Sequence, residues 1–126
     1  MVDYREWFVK AEDFFEEARD DLGRDRFWLT CFHMQQAVEL YLKGFLVKIT
    51  GSYPFTHSLV ELLEAIESLG YNIPEEIYTC AEALEKHYTR ARYPGAGLAV
   101  YNRRVAERCI SYGEKIIEFI KRILKE

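Results

Sequence analysis

Apolar side chains at Tyr4, Trp7, Phe8, Ala11, Phe14, Phe15, Ala18 and Leu22 keep the i, i+3, i+4 spacing of one helical face, while Glu12, Asp13, Glu16, Glu17 and Asp20 fill the other. The pattern predicts a first helix that stops at Gly23. A second run, with Asp25 as its expected cap, passes through Phe27, Trp28, Cys31, Phe32, Gln35, Val38, Leu42 and Phe45 until Gly51 and Pro54 end it. It is apolar over more than half its girth, which predicts a central helix. Ser58 and Glu61 have capping-box spacing and open a short third helix with Leu59, Leu62, Leu63, Ile66 and Leu69 on one stripe and Gly70 at its end. Pro74 suits the first turn of a fourth, with Ile77, Cys80, Ala81, Leu84 and Tyr88 inward. The stretch from Ala91 to Val100, with Pro94, Gly95 and Gly97, has no period and reads as an irregular connection. From Tyr101 to Leu124 the 3.6 period resumes.

Five helical runs and no convincing strand predict an all-α fold, an antiparallel up-and-down bundle of four to five helices forming a single domain over 1–126. Length and composition agree: 126 residues, 49% hydrophobic and 30% charged, supply one core. A net charge of -4 excludes binding of nucleic acid through bulk positive charge, so any anion site must be local. Cys31, Cys80 and Cys109 form no CxxC pair, and the expectation for all three is a buried apolar thiol in a reducing, cytoplasmic setting. The chain starts without an apolar signal core and has no apolar run long enough to span a bilayer, so no membrane partner is expected.

The placement of charge changes the picture more than its total. Residues 61–85 hold seven acidic and no basic side chains, whereas residues 86–108 hold six basic ones (Lys86, Arg90, Arg92, Arg103, Arg104, Arg108) and only Glu107 to oppose them. Lys86 and Arg90 suit the negative end of a helix dipole. Arg103 and Arg104 fall in the first turn of the last helix, where a cation opposes the dipole by roughly 0.3–1 kcal/mol. Two kinds of compensation fit. One is ion pairing, by Glu107 with Arg103 at i+4 or with the acidic stretch. The other is a bound phosphate, which forked guanidinium donors beside a helix start would hold.

Three blocks carry a resemblance. They are Phe32-His33-Met34-Gln35-Gln36-Ala37-Val38-Glu39-Leu40-Tyr41-Leu42-Lys43; Thr56-His57-Ser58-Leu59 followed by Leu62-Leu63; and Tyr88-Thr89-Arg90-Ala91-Arg92-Tyr93-Pro94. In order and spacing they resemble the HEPN family (higher eukaryotes and prokaryotes nucleotide-binding) over nearly the whole chain. The resemblance implies a bundle similar to the C-terminal domain of kanamycin nucleotidyltransferase, a homodimer, and pairing with a separate minimal nucleotidyltransferase in a toxin–antitoxin-like module. Many members are metal-independent endoribonucleases in which four to six residues separate an Arg from the His that follows it, near the start of a late helix. Here His87 is the last histidine, so no Arg of the late region has such a partner, and the formal match Arg26 to His33 lies at the start of the second helix. The resemblance therefore implies a non-catalytic or toxin-type module that binds a nucleotide or RNA phosphate through Lys86, Arg90, Arg92, Tyr93, Arg103 and Arg104, without a cofactor. An endoribonuclease using a displaced His33, His57 or His87 beside Arg92 is the alternative, and a purely protein-docking bundle the second.

Other residues have a plainer expectation. His57, next to a capping box, buttresses its turn. Gln36, Glu39 and Lys43 share one face of the central helix and, with His57 and Tyr88, suit an internal polar network in which Glu39 meets a late arginine such as Arg92. Cys80 and His87 lie seven apart, but without a second pair no structural metal site is expected. The aromatic share of 15%, rich in the first two helices, predicts some rings at an interface.

Overall fold

The computed structural model describes residues 3–94 and 100–125. Its helices are α1 (Tyr4–Gly23), α2 (Phe27–Thr50), α3 (Leu59–Glu67), α4 (Glu75–Glu85), the single turn α5 (His87–Arg90) and α6 (Arg103–Leu124). There is no strand among the described residues, and the arrangement is an up-and-down helical bundle. The α2 helix packs against each of the other five, as its nearly all-round apolar sequence requires. Phe45, Met34, Leu42 and Val38 of α2 are fully buried against Leu59, Leu62, Leu63 and Ile66 of α3, Leu84 of α4, and Ile116 and Ile120 of α6. Each such side chain contributes about 1.5–3 kcal/mol relative to exposure.

Local chemistry sets the ends. Asp3 caps α1 through the Arg5 N–H, at 2.8 Å. Gly51, at φ 84°, closes α2 by donating its N–H to Val47. Ser58 accepts from the Glu61 N–H at 3.2 Å, but the carboxylate of Glu61 goes to the Thr56 hydroxyl instead of back to Ser58, so the expected capping box is half made. Asn102 caps α6 through the Val105 N–H at 2.9 Å.

Several expectations need correction. Asp25 does not cap α2. It sits in the left-handed region at φ 59°, which reverses the chain between α1 and α2, and Arg26 takes the cap position without a side-chain bond. Pro74 stands at the cap of α4, one position ahead of its first turn. The fourth helix breaks at Lys86, so that α5 buries His87 and leaves Tyr88 only half-buried. Cys31 and Cys109 form a disulfide between α2 and α6, with Cα atoms 5.3 Å apart; only Cys80 is a buried thiol, its pKa pushed up by burial. Arg103 pairs with Asp25, not Glu107. Of the irregular connection, residues 95–99 lie outside the described part. Part of the aromatic content packs α1 against α2 and the connection after it: Phe8 meets Tyr41 of α2 at 5.2 Å, and Trp7 meets Tyr53, beyond the end of α2, at 4.8 Å, although Trp28 is over one-third exposed.

Gly113 lets α6 pack directly on the Met34 side chain of α2. A Cβ placed there would lie 1.9 Å from Met34 Cε and 2.7 Å from its Cγ, and Met34 has no exposed surface into which to move. Overpacking costs about 1–3 kcal/mol, against a helix-propensity gain of at most about 1 kcal/mol. Gly113→Ala is therefore expected to lower stability by about 1 kcal/mol or more in urea denaturation; an unchanged midpoint would mean that Met34 repacks freely.

Candidate functional site

The break at Lys86 shapes one end of the bundle. By ending α4 and starting α5 it turns Lys86, His87 and Arg90 toward the face of α6 that carries Arg108, Cys109 and Tyr112. Together with Tyr101 and Val105 these residues line an open cavity of about 200 Å³. Its charged lining is Lys86, Arg90 and Arg108, with no carboxylate among the lining residues. Tyr101, Val105 and Tyr112 supply apolar wall.

His87 forms the inner wall. Its side chain is 5% exposed, and Nδ1 shares a 2.7 Å hydrogen bond with the Tyr101 hydroxyl. Burial, reinforced by the positive charges of Lys86 and Arg90, holds its pKa down to about 4, so the imidazole is neutral at pH 7. Burial also pushes the Tyr101 hydroxyl up, with Arg90 pulling the other way. The cavity thus presents fixed cations at its rim and neutral donors deeper in. That is chemistry for an anion, because charge-assisted hydrogen bonds from Lys and Arg suit phosphate oxygens.

A second polar cluster lies on another face of α2. Glu39, 5% exposed, accepts from Lys43 Nζ at 2.9 Å and from Gln35 Nε2 at 3.2 Å, and lies 3.1 Å from His57 Nδ1. Gln36 donates to Gln35 at 2.7 Å. The His57 ring stacks on Tyr88 at 4.1 Å, with 15° between planes, and the guanidinium of Arg92 lies 4.7 Å from the Tyr88 centroid. The partner expected for Glu39 is therefore corrected: Lys43 and His57 take its oxygens, and Arg92 rests on tyrosine rings. Because His57 is half exposed, the buried carboxylate fixes one nitrogen and leaves the other edge toward solvent.

The candidate phosphate-binding side chains do not converge on one place. Lys86 and Arg90 line the cavity; Arg92 and Tyr93 accompany Tyr88; Arg103 is held by Asp25 over the Phe27 ring; Arg104 is exposed and does not line the cavity. Among the histidines, His33 is bound to Asp21 at 2.6 Å between α1 and α2, His87 lines the cavity, and His57 joins the Arg92 group. Sequence reasoning does not single out Arg108, Tyr101 and Tyr112 as binding residues. Their signal is present all the same, since 101, 105, 108, 109 and 112 recur at helical spacing and put one arginine between two tyrosines.

Among the described residues, no helix is long and apolar enough to cross a membrane. The chain is 26% identical to "Putative toxin MJ1304" of Methanocaldococcus jannaschii over 99% of its own length and 91% of that protein's. Its fold is similar to the crystal structure of TT1696 from Thermus thermophilus, with a TM-score of 0.88 and 31% identity over 97% of this chain and 98% of that one. It is also similar to ST0689, described as an archaeal HEPN homologue, with a TM-score of 0.79 and 33% identity over 96% and 97% of the two chains. The sequence profile of the HEPN domain matches residues 4–123, nearly the full length, and the chain belongs to the HEPN domain family.

Proposed function

We propose that this HEPN module binds the phosphate of a nucleotide or of RNA in the cavity between α5 and α6, and serves as the toxin-type partner of a separate minimal nucleotidyltransferase. The observation that carries the reading is the lining: Lys86, Arg90 and Arg108 around one opening, with no carboxylate among them. The match to a protein named as a toxin supports the toxin-type role, and the family supports a nucleotidyltransferase partner and a homodimer. In this reading the Arg forks hold phosphate oxygens, and the tyrosines of the wall contact the sugar or base.

The test is a titration with ATP and a short RNA at low and moderate salt, comparing the parent chain with Arg90→Ala and Arg108→Ala. Hydrogen bonds to charged groups contribute about 1.5–3 kcal/mol, so each substitution is expected to weaken binding roughly 10- to 100-fold, with a reduced salt dependence. Affinity that is unchanged in both variants rejects the site. Titrations that are flat for the parent chain leave a protein-docking bundle as the better reading.

One observation favours a second reading, a metal-independent endoribonuclease. His57 and Arg92 both pack on the Tyr88 ring, and the carboxylate partner of His57, Glu39, orients it as a general acid or base requires. RNA integrity followed in the same titration decides it: cleavage lost in both His57→Ala and Arg92→Ala supports this reading, and intact RNA removes it.

A further inference from the structure

Cys31 on α2, His87 on α5 and Cys109 on α6 are buried together, and one donor atom from each lies within 4.8 Å of the other two. In the structure the two sulfurs are joined, and their Cα separation of 5.3 Å suits a disulfide. The same atoms in the reduced state form a different object. Two thiolates and an imidazole, with no carboxylate in the group, are the donor set of a zinc-type cation and are unsuited to magnesium or calcium.

We propose that reduction of the Cys31–Cys109 bond converts this cluster into a site for a zinc-type divalent cation, ligated by Cys31 Sγ, Cys109 Sγ and His87 Nε2. The chemistry balances. The disulfide takes two electrons and two protons from a dithiol reductant, which leaves as its own disulfide, and the metal then displaces both thiol protons to solvent. Breaking the bond frees both χ1 torsions, so the sulfurs can part to meet a metal at about 2.3 Å each.

Three features of the surroundings favour a metal here. The first is charge: two thiolates cancel a divalent ion, so the complex adds no net charge beside Lys86, Arg90 and Arg108. The second is orientation, because Nδ1 of His87 is held by the Tyr101 hydroxyl at 2.7 Å, which leaves Nε2 as the nitrogen available to the metal. The third is access. Cys109 and His87 both line the cavity, so a fourth coordination position opens toward it for a water or an anion, the arrangement of three-ligand zinc sites. None of these rests on phosphate binding, so failure of that reading leaves this one standing.

The test uses the full chain in two states: oxidised, and reduced with a dithiol that is then removed without air. Thiol counting on the denatured protein is expected to give one free thiol in the first state and three in the second. Co2+ is titrated into both, and Zn2+ is then used to displace it. The reduced chain is expected to bind one Co2+ with a thiolate charge-transfer band that Zn2+ abolishes, and the oxidised chain to show no such band. In the reduced state His87→Gln is expected to weaken Co2+ binding at least tenfold, and Cys109→Ser to remove the band. Because the oxidised parent is itself the negative control, a variant that fails to fold does not spoil the experiment. A reduced chain without a saturable band overturns the site, as does a band that is equal in the oxidised chain or in a folded His87→Gln. Three free thiols in both states overturn the redox gate.

Discussion

Replacing Glu39 with Gln is expected to cost about 3–5 kcal/mol of unfolding free energy, the penalty for leaving a buried charge without its partner. Glu39 and Lys43 are one helical turn apart on α2, both under a tenth exposed, and joined at 2.9 Å. Gln keeps the shape and the acceptor oxygen but removes the charge, so the Lys43 ammonium is left in the core facing a neutral amide. In a chain of this length the loss corresponds to roughly 10–20 °C in Tm. A double substitution separates the pair from its parts. Glu39→Met with Lys43→Met removes both charges and fills similar volume, and is expected to recover most of the loss, since apolar replacement of a whole buried ion pair is often neutral or better. The measurement is urea denaturation of the two single variants and the double. If Glu39→Gln costs less than 1 kcal/mol, Lys43 escapes to solvent and the network is not a structural unit.

The same residues show what can be read from the chain and what cannot. The helical period locates every long helix because burial is one-sided in α1, α3, α4 and α6, and Ser58 and Gly51 act locally as their types suggest. Gln36, Glu39, Lys43, His57 and Tyr88 lie in one connected group, but its hub Gln35 reads in the sequence as one more position on the apolar face. Position along a helix does not distinguish an amide that finds partners from a residue that needs none. Asp25 misleads because an aspartate ahead of an apolar run suits a cap and a left-handed turn equally. The break at Lys86 has no proline or glycine to announce it. The sequence around it is a good helix former, and the turn follows from burying His87 against α6. Nothing local links Cys31 with Cys109 across 78 residues, so both the disulfide and the cluster around His87 emerge only when α2, α5 and α6 are packed. Arg108 is one of six clustered cations, and only the register of α6 selects it for the cavity.

Acid is expected to destabilise the fold well before its carboxylates protonate, and His87 is the reason. Burial beside Lys86 and Arg90 holds its pKa at about 4 in the folded chain, against an ordinary value of 6.5 when unfolded. Below pH 6.5 the unfolded chain takes up a proton that the folded chain refuses, so stability is full above that pH and falls as pH drops toward 4. At 1.36 kcal/mol for each unit of difference, the loss is about 2 kcal/mol at pH 5 and about 3 kcal/mol at pH 4. Urea denaturation of the disulfide-bonded, metal-free chain between pH 7.5 and pH 5 measures it. His87→Gln supplies the reference: it retains His33 and His57, so the difference in slope between the two chains belongs to His87. Equal slopes would mean that the folded chain protonates His87 as readily as the unfolded one. The same titration reports on the cavity, because the field that depresses His87 comes partly from Lys86 and Arg90. A phosphate held by those side chains cancels part of their charge, so adding saturating ATP is expected to raise the His87 pKa, read from its imidazole proton shift by NMR. An unmoved pKa at saturation would place the nucleotide away from Lys86 and Arg90.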